Sequence, residues 1–139
     1  MDIFLRKEKL GFTLLELIIV IIVVGILASL AIPRYLRLTE KGRVGEAKTI
    51  LSSVRSAQIR YAAQYATYTN NISGLDINLP AAKYFSYAAL GVSANLSDES
   101  VAVCQANRTN LDNPGVGNYM LNITMGGNIS GDATGLSLL

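Results

Sequence analysis

Residues 12–32 read FTLLELIIVIIVVGILASLAI and decide the architecture of the chain. The run covers 21 residues and contains one charged side chain, Glu16. As an α-helix it would be about 31 Å long, close to the hydrocarbon thickness of a bilayer. The β-branched residues within it would suit a strand in water, but in lipid the backbone must satisfy its own hydrogen bonds. The run therefore predicts a transmembrane helix.

Glu16 is the informative residue of this segment. A carboxylate at the centre of a membrane costs about 2.5–3.5 kcal/mol on insertion scales, and less near the interface. A simple anchor has no use for it, whereas pairing with a cation offsets the cost of desolvation. The segment contains no cation. A second copy of the chain could supply one if its own N-terminus were a free amine just before Glu16.

The charges are arranged in blocks along the chain. Residues 34–60 hold seven basic and two acidic side chains, whereas residues 61–139 hold two basic and five acidic ones. This pattern predicts a basic stalk and a mildly acidic head, and an acidic head disfavours non-specific binding of nucleic acid. Basic residues flank the apolar run on both sides, so charge alone decides the orientation only in part. The short N-terminal segment and the long polar remainder favour a cytoplasmic N-terminus.

The composition excludes several classes of chemistry. The chain has no histidine and one cysteine, Cys104, which removes histidine-based catalysis, histidine metal sites and an intrachain disulfide. No phosphate-binding glycine loop, metal-ligand cluster or nucleophile with an evident base is present in the sequence. We therefore predict no catalytic, metal-binding or cofactor-binding residues and no enzyme. Cys104 is expected to be a buried, small apolar residue in a strand.

Helical spacing continues beyond Pro33. Apolar residues recur at intervals of three or four and form one stripe, which predicts a face packed against a core. The stripe consists of Val44, Ala47, Leu51, Val54, Ala57, Tyr61 and Tyr65. The basic residues Arg43, Lys48, Arg55 and Arg60 are expected mainly on the other sides. A turn-forming cluster at 69–74 ends the pattern, so the helix is expected to run from Phe12 to about Tyr68.

Strand patterns follow the turn. Residues 119–125 alternate in polarity and precede a hairpin turn at Gly126-Gly127. Residues 84–90 and 99–107 are two further candidate strands. About 70 residues cannot bury a large core unaided, so we expect the strands to pack on the helical stripe. The predicted fold class is α+β: a long N-terminal helix, transmembrane in its first half and packed by its second half on a small antiparallel β-sheet head.

The N-terminal residues resemble a known signature. The stretch Lys9-Leu10-Gly11-Phe12-Thr13-Leu14-Leu15-Glu16 is similar to that of prepilins, in which a short basic leader ends in Gly and Phe-Thr-Leu-x-Glu opens an apolar helix. With its continuation through Gly25 to Pro33, the chain resembles type IV pilins, type II secretion pseudopilins and competence pilins over about residues 1–68.

The resemblance implies a division of the chain into four segments. These are a leader peptide (1–11), a transmembrane and filament-core helix (12–33), the amphipathic half of the same helix (34–69) and an antiparallel β head (70–139). It also implies a processing site: a membrane-embedded prepilin peptidase would cut the Gly11–Phe12 bond, and Phe12 would become the N-methylated first residue.

Two further roles follow from the resemblance. Glu16 would neutralise the Phe12 ammonium of a neighbouring subunit during assembly. Gly25 and Pro33 would be helix irregularities, either a simple kink or break at the membrane boundary or a segment that melts locally and lets subunits pack.

The implied function is that of a structural filament subunit. It would be a single-pass inner-membrane protein with a cytoplasmic N-terminus and later part of an extracellular pilus. Its expected partners are copies of itself, the prepilin peptidase, the inner-membrane pilus or secretion assembly machinery and, before assembly, membrane lipid.

Three alternatives stay open. The chain could be a periplasmic pseudopilin of a type II secretion system, and Cys104 without a second cysteine keeps this alternative, because many pilins close a C-terminal loop with a cysteine pair. It could also be a secreted domain released by a signal-peptide cut near residues 29–31. The third alternative is a fibre-borne module that binds DNA or another ligand.

Overall fold

A computed structural model describes residues 11–81, 83–91, 98–109, 116–132 and 137–138. The elements in chain order are helix α1 (Leu14–Tyr65), a 3-10 turn (Ile72–Gly74) and strands β1 (Phe85–Ala89), β2 (Ala102–Arg108), β3 (Met120–Thr124) and β4 (Ile129–Gly131). Most of the predicted leader, residues 1–10, lies outside the described residues. The chain divides into two compact units, an N-terminal unit (Met1–Tyr35) and a head unit (Leu36–Leu139).

Helix α1 ends three residues earlier than the sequence predicted. Ala66 has φ of 53°, in the left-handed region, and its N–H donates to the Ala62 carbonyl over 2.8 Å. A left-handed residue directly after the last helical residue is a common helix end, although glycine usually occupies it. The polar cluster at 69–74 forms the 3-10 turn instead, in which Asn71 caps by accepting a hydrogen bond from the N–H of Ser73.

The head unit contains one four-stranded antiparallel sheet in the order β1-β2-β3-β4. In the central pair, Gln105 lies opposite Asn122 and Ala106 opposite Leu121. The register shifts between Ala102 and Cys104, which is the effect of a β-bulge. Since side chains alternate across a regular strand, this irregularity explains why the consecutive residues Val103 and Cys104 are both buried.

The core lies between the second part of α1 and one face of the sheet. The helical stripe is confirmed for its first five members, Val44 to Ala57, each at most 1% exposed. From the sheet side, the core includes Phe85, Ala106, Leu121 and Ile123. Tyr61 is only partly buried, and Tyr65, at the end of the helix, is 56% exposed. The stripe therefore ends earlier than its spacing suggests.

The predicted α+β, pilin-like fold is confirmed. The three candidate strands are present with slightly different bounds, and Gly127 has the positive φ (87°) that a tight turn between β3 and β4 favours. Cys104 is buried in β2 as expected. Burial raises the pKa of its thiol to about 12, so this thiol stays protonated and chemically inert at neutral pH.

Leu51 offers a direct test of the packing between helix and sheet. Its side chain is 0% exposed, and Leu51→Ala should lower the free energy of unfolding of the head by about 2–5 kcal/mol because the deletion leaves a cavity. Thermal unfolding of the full chain in detergent, followed by circular dichroism, measures this loss. Ile59→Ala is the control, since Ile59 lies on the same helix but is 36% exposed. Equal effects of the two changes would contradict the packing.

Candidate assembly site

The start of α1 is built by a reciprocal pair of hydrogen bonds. Thr13 precedes the first helical residue, and its hydroxyl accepts a hydrogen bond from the N–H of Glu16 over 3.2 Å. In return, one carboxylate oxygen of Glu16, Oε2, accepts from the N–H and the hydroxyl of Thr13 over 2.9 and 2.8 Å. This is a capping box, which satisfies backbone donors that an isolated helix start leaves unpaired.

The capping box gives Glu16 a local role that the sequence reasoning missed. The signal was readable, because Thr-x-x-Glu before an apolar run is typical of a helix N-terminus. The box uses Oε2 of Glu16 only. Among the described residues, no donor contacts the second oxygen, Oε1, so this oxygen is available to a cation from outside the chain.

The bond between Gly11 and Phe12 lies just outside the helix. Neither residue is helical, and the Phe12 side chain is 87% exposed. A Cβ added at Gly11 would meet no atom within 4 Å. Exposed, non-helical backbone of this kind is where proteolytic cuts concentrate.

The N-terminal unit exposes an apolar surface along its helix. Every large apolar side chain between Phe12 and Ile32 is at least 41% exposed. By length and composition, the helix is able to cross a membrane. A continuous exposed apolar surface of this extent marks contact with lipid or with other protein surfaces.

Gly25 and Pro33 both lie within the helical assignment, which is unbroken through them. A Cβ on Gly25 would meet no atom within 4 Å, so packing within one chain does not require a glycine there. Pro33 has no N–H and leaves the carbonyl of Ser29 without its usual helical donor. Gly25 weakens the helix within the apolar run, and Pro33 weakens it directly after the run.

The comparisons with known proteins agree with this site. Residues 6–32 match the model of the prokaryotic N-terminal methylation motif. The chain thus carries this motif over its N-terminal residues. It is 38% identical over 65 residues to the type IV major pilin protein PilA of Myxococcus xanthus, covering 45% of this chain and 30% of that protein.

Two other relatives show the range of the family. The chain is 30% identical over 71 residues to the type II secretion system core protein G of Pseudomonas aeruginosa, covering 51% of this chain and 50% of that protein. It is 45% identical over 47 residues to the type IV narrow pilus major component PilA5 of Thermus thermophilus, covering 34% of this chain and 40% of that protein. The chain thus spans between 30% and 50% of the length of these relatives. No solved structure matches it.

These similarities confirm the predicted resemblance to type IV pilins and type II secretion pseudopilins. These relatives are pilins and a secretion-system core protein. Their names agree with the prediction of a structural protein rather than an enzyme.

The head of this pilin-like chain contains a buried ionic cluster that the sequence reasoning missed. Glu40 is 0% exposed, and its Oε1 accepts hydrogen bonds from Nε of Arg108 over 2.6 Å and from the Tyr119 hydroxyl over 2.8 Å. Its Oε2 accepts from Nη1 of Arg43 over 3.0 Å and from Nη2 of Arg108 over 3.3 Å. Burial, together with the hydrogen bond to Glu40, raises the pKa of Tyr119.

This Glu40 cluster joins three parts of the head: α1, the end of β2 and the residue before β3. The Arg108 guanidinium also donates to the Tyr84 carbonyl over 3.2 Å, and that of Arg43 lies 4.2 Å from the centre of the Tyr84 ring. Desolvating a carboxylate is costly, and full hydrogen bonding offsets that cost. We infer that the cluster fixes the arrangement of helix and sheet more than it adds stability.

Two of the basic residues expected on outer faces take part in packing instead. Arg43 belongs to the Glu40 cluster. Arg55 is half-buried, and its Nε donates to the Met125 carbonyl over 2.6 Å; its guanidinium lies against Gly127. The Arg55 guanidinium reaches this carbonyl because its long side chain extends across the edge of the core.

Gln58 is a second buried polar contact in the head. Its side-chain amide donates to the Thr69 carbonyl over 2.7 Å and accepts from the Thr69 N–H over 3.1 Å. It also donates to the Val103 carbonyl over 3.3 Å. The amide thus satisfies backbone groups where the chain leaves the helix and passes beside the sheet.

Removal of the Glu40 charge tests the cluster. Glu40→Leu should destabilise the head by about 3–5 kcal/mol, because Arg108 would then be a buried charge without its counter-ion. Chemical denaturation of the full chain in detergent gives the value. The double variant Glu40→Leu with Arg108→Met should regain part of the loss, since Arg108 is no longer an unpaired buried charge while the buried Tyr119 hydroxyl stays without its acceptor.

The control is Glu46→Gln, on the same helix but exposed, which should change the free energy of unfolding by less than about 0.5 kcal/mol. A Glu40→Leu protein as stable as this control would show that the cluster is not formed.

Proposed function

We propose that this chain is a structural subunit of a type IV pilus-like filament. It is inserted in the bacterial inner membrane with a cytoplasmic N-terminus, cut between Gly11 and Phe12 by a prepilin peptidase and N-methylated at Phe12. It then polymerises through its apolar helix. The single observation that carries this proposal is the exposed apolar helix with a carboxylate at its capped start. Its partners are copies of itself and the inner-membrane assembly machinery.

The relation between Phe12 and Glu16 gives the proposal a mechanism. Cleavage before Phe12 converts a peptide nitrogen into an ammonium group beside the start of a helix, where the helix dipole disfavours positive charge. A carboxylate of a neighbouring subunit would stabilise this ammonium group. Among the described residues, Oε1 of Glu16 has no intrachain donor and can take this role. The pair sets the register between adjacent helices, a role for which buried ion pairs are well suited.

A second candidate function is that of a pseudopilin in a type II secretion system. The similarity to core protein G supports it, since that alignment covers half of the relative's length. The single cysteine of the chain also supports it, because a disulfide-closed loop cannot form within one chain. The two candidates differ in location: a surface fibre for the pilin and a periplasmic one for the pseudopilin. Imaging of fibres at the cell surface with an antibody against the head distinguishes them.

Substitution of Glu16 tests the charge pairing separately from helix capping. Glu16→Gln keeps the capping box, because glutamine serves at this position too, but it removes the negative charge. We expect normal membrane insertion and loss or misalignment of filaments, measured on fibres sheared from the cell surface. Glu16→Leu should behave in the same way.

Thr13→Ala provides the matched control. It removes the capping hydroxyl at a cost of about 1 kcal/mol and leaves the Glu16 charge in place, so filaments should still form. Filaments of normal yield from Glu16→Gln would refute the pairing, and loss of filaments only in Thr13→Ala would assign the role of Glu16 to capping.

The mature N-terminus provides a test of the proposed processing. Intact mass and N-terminal sequencing of the chain isolated from its host should give a protein that begins at Phe12 with one added methyl group. Gly11→Leu should block the cut and leave the longer chain in the membrane. A chain that starts after residue 31 would support the signal-peptide alternative, and one that retains Met1 would contradict processing altogether.

A further inference from the structure

The residues directly after the apolar run have an unusual surface. Residues 34–41 read RYLRLTEK, and we call them the boundary segment. Its cations Arg34, Arg37 and Lys41 alternate with two large apolar side chains, Tyr35 and Leu38, that are 65% and 68% exposed. Exposed apolar and basic side chains in alternation are typical of segments that lie at a membrane–water interface.

Helical spacing separates the two sides of this segment within the head unit. Arg37 and Lys41 are four residues apart, and Leu38 is three residues before Lys41, so these side chains are neighbours on one side of the helix. Glu40 lies on the buried side, within its cluster with Arg108. The exposed side therefore carries cations and an apolar side chain without a carboxylate. Among the described residues, neither Arg37 nor Lys41 forms an ion pair.

The location of these cations argues for an anionic partner. In the proposed orientation they lie on the translocated side of the membrane, where basic residues are disfavoured. Arg37 follows the last residue of the apolar run, Ile32, by five residues, or about 8 Å along a helix. That distance is within one Debye length of the membrane surface at physiological salt.

We propose that the boundary segment binds anionic phospholipid headgroups of the outer leaflet before assembly. Arg37 and Lys41 of the head unit contact the phosphodiester groups, and Leu38 inserts at the boundary between headgroups and acyl chains. Long basic side chains reach headgroups while their stems stay on apolar surface. The proposal rests on the proposed membrane insertion, and it adds that the subunit leaves these headgroups when it enters a filament.

Single tryptophans test the proposal, because the chain has no tryptophan of its own. The full chain with Leu38→Trp is reconstituted into phosphatidylcholine vesicles that contain phosphatidylglycerol, with one of the two lipids brominated in its acyl chains as a quencher. Near an anionic surface each cation favours binding about fivefold. We therefore expect brominated phosphatidylglycerol to quench this tryptophan several-fold more than brominated phosphatidylcholine does.

Two control positions distinguish a failure of membrane insertion from a failure of the headgroup contact. Leu27→Trp, within the apolar run, should be quenched by both lipids alike, because no cation lies near it. Ile59→Trp, about 32 Å further along the helix than Leu38, should be quenched by neither. Absence of quenching at position 27 would refute membrane insertion and, with it, both proposals. If position 27 is quenched but position 38 is quenched equally by both lipids, or by neither, the headgroup contact alone is refuted.

The cations are tested in the Leu38→Trp background. Arg37→Gln with Lys41→Gln should lower the preference for phosphatidylglycerol several-fold. The same double change in the Leu27→Trp background should leave the quenching at position 27 unchanged. Arg60→Gln removes a cation distant from the apolar run and should keep the preference. An unchanged preference in the double variant would overturn the proposal.

Nucleic acid is the competing polyanion. If the wild-type chain shows no lipid preference but binds duplex DNA in a salt-dependent manner, and the double variant loses that binding, the boundary segment is a nucleic-acid contact instead.

Discussion

An apolar helix surface has to be covered by something other than water, and this constraint governs both parts of α1. In the head unit the covering is internal, because Val44, Leu51 and Val54 pack against the sheet. In the N-terminal unit the apolar side chains of residues 12–32 are exposed. At about 1.5–3 kcal/mol for each large side chain that could be buried, their exposure to water would cost tens of kcal/mol, more than the net stability of a typical domain. An external apolar partner is therefore part of this fold.

Most of the fold was predictable from the sequence because it follows periodic patterns of apolar residues. The stripe from Val44 to Ala57 and the alternation around β3 are repeated over several turns or residue pairs, so they were predictable. The end of α1 was not, because Ala66 adopts a left-handed conformation that alanine disfavours and that nothing in its neighbours signals. Tyr65, which the spacing placed on the packed stripe, is 56% exposed at the end of the helix.

Single long-range contacts were harder to predict than repeated patterns. Glu40 lies four residues before Val44 and seven before Ala47, so its spacing places it on the buried stripe, and this signal was readable. Its partner Arg108 is 68 residues away, and no periodicity links one arginine to one glutamate over that distance. The same holds for Gln58, whose amide pairs with backbone groups that any residue would offer. Periodicity identifies a buried face, but it does not identify the partner of a polar group on that face.

The division between apolar and charged contacts also explains how the subunits of the proposed filament can leave the membrane and still assemble in one order. Exchange of lipid for sister helices replaces one apolar environment with another, so it is nearly neutral in free energy and requires an external motor. Leucine, isoleucine and valine surfaces also specify register weakly, because neighbouring positions are alike. A carboxylate such as Glu16 is different, since a displaced register leaves both it and the partner ammonium desolvated and unpaired, at a cost of several kcal/mol per ion. The apolar surface thus allows assembly, and one charge selects among the many arrangements that this surface permits.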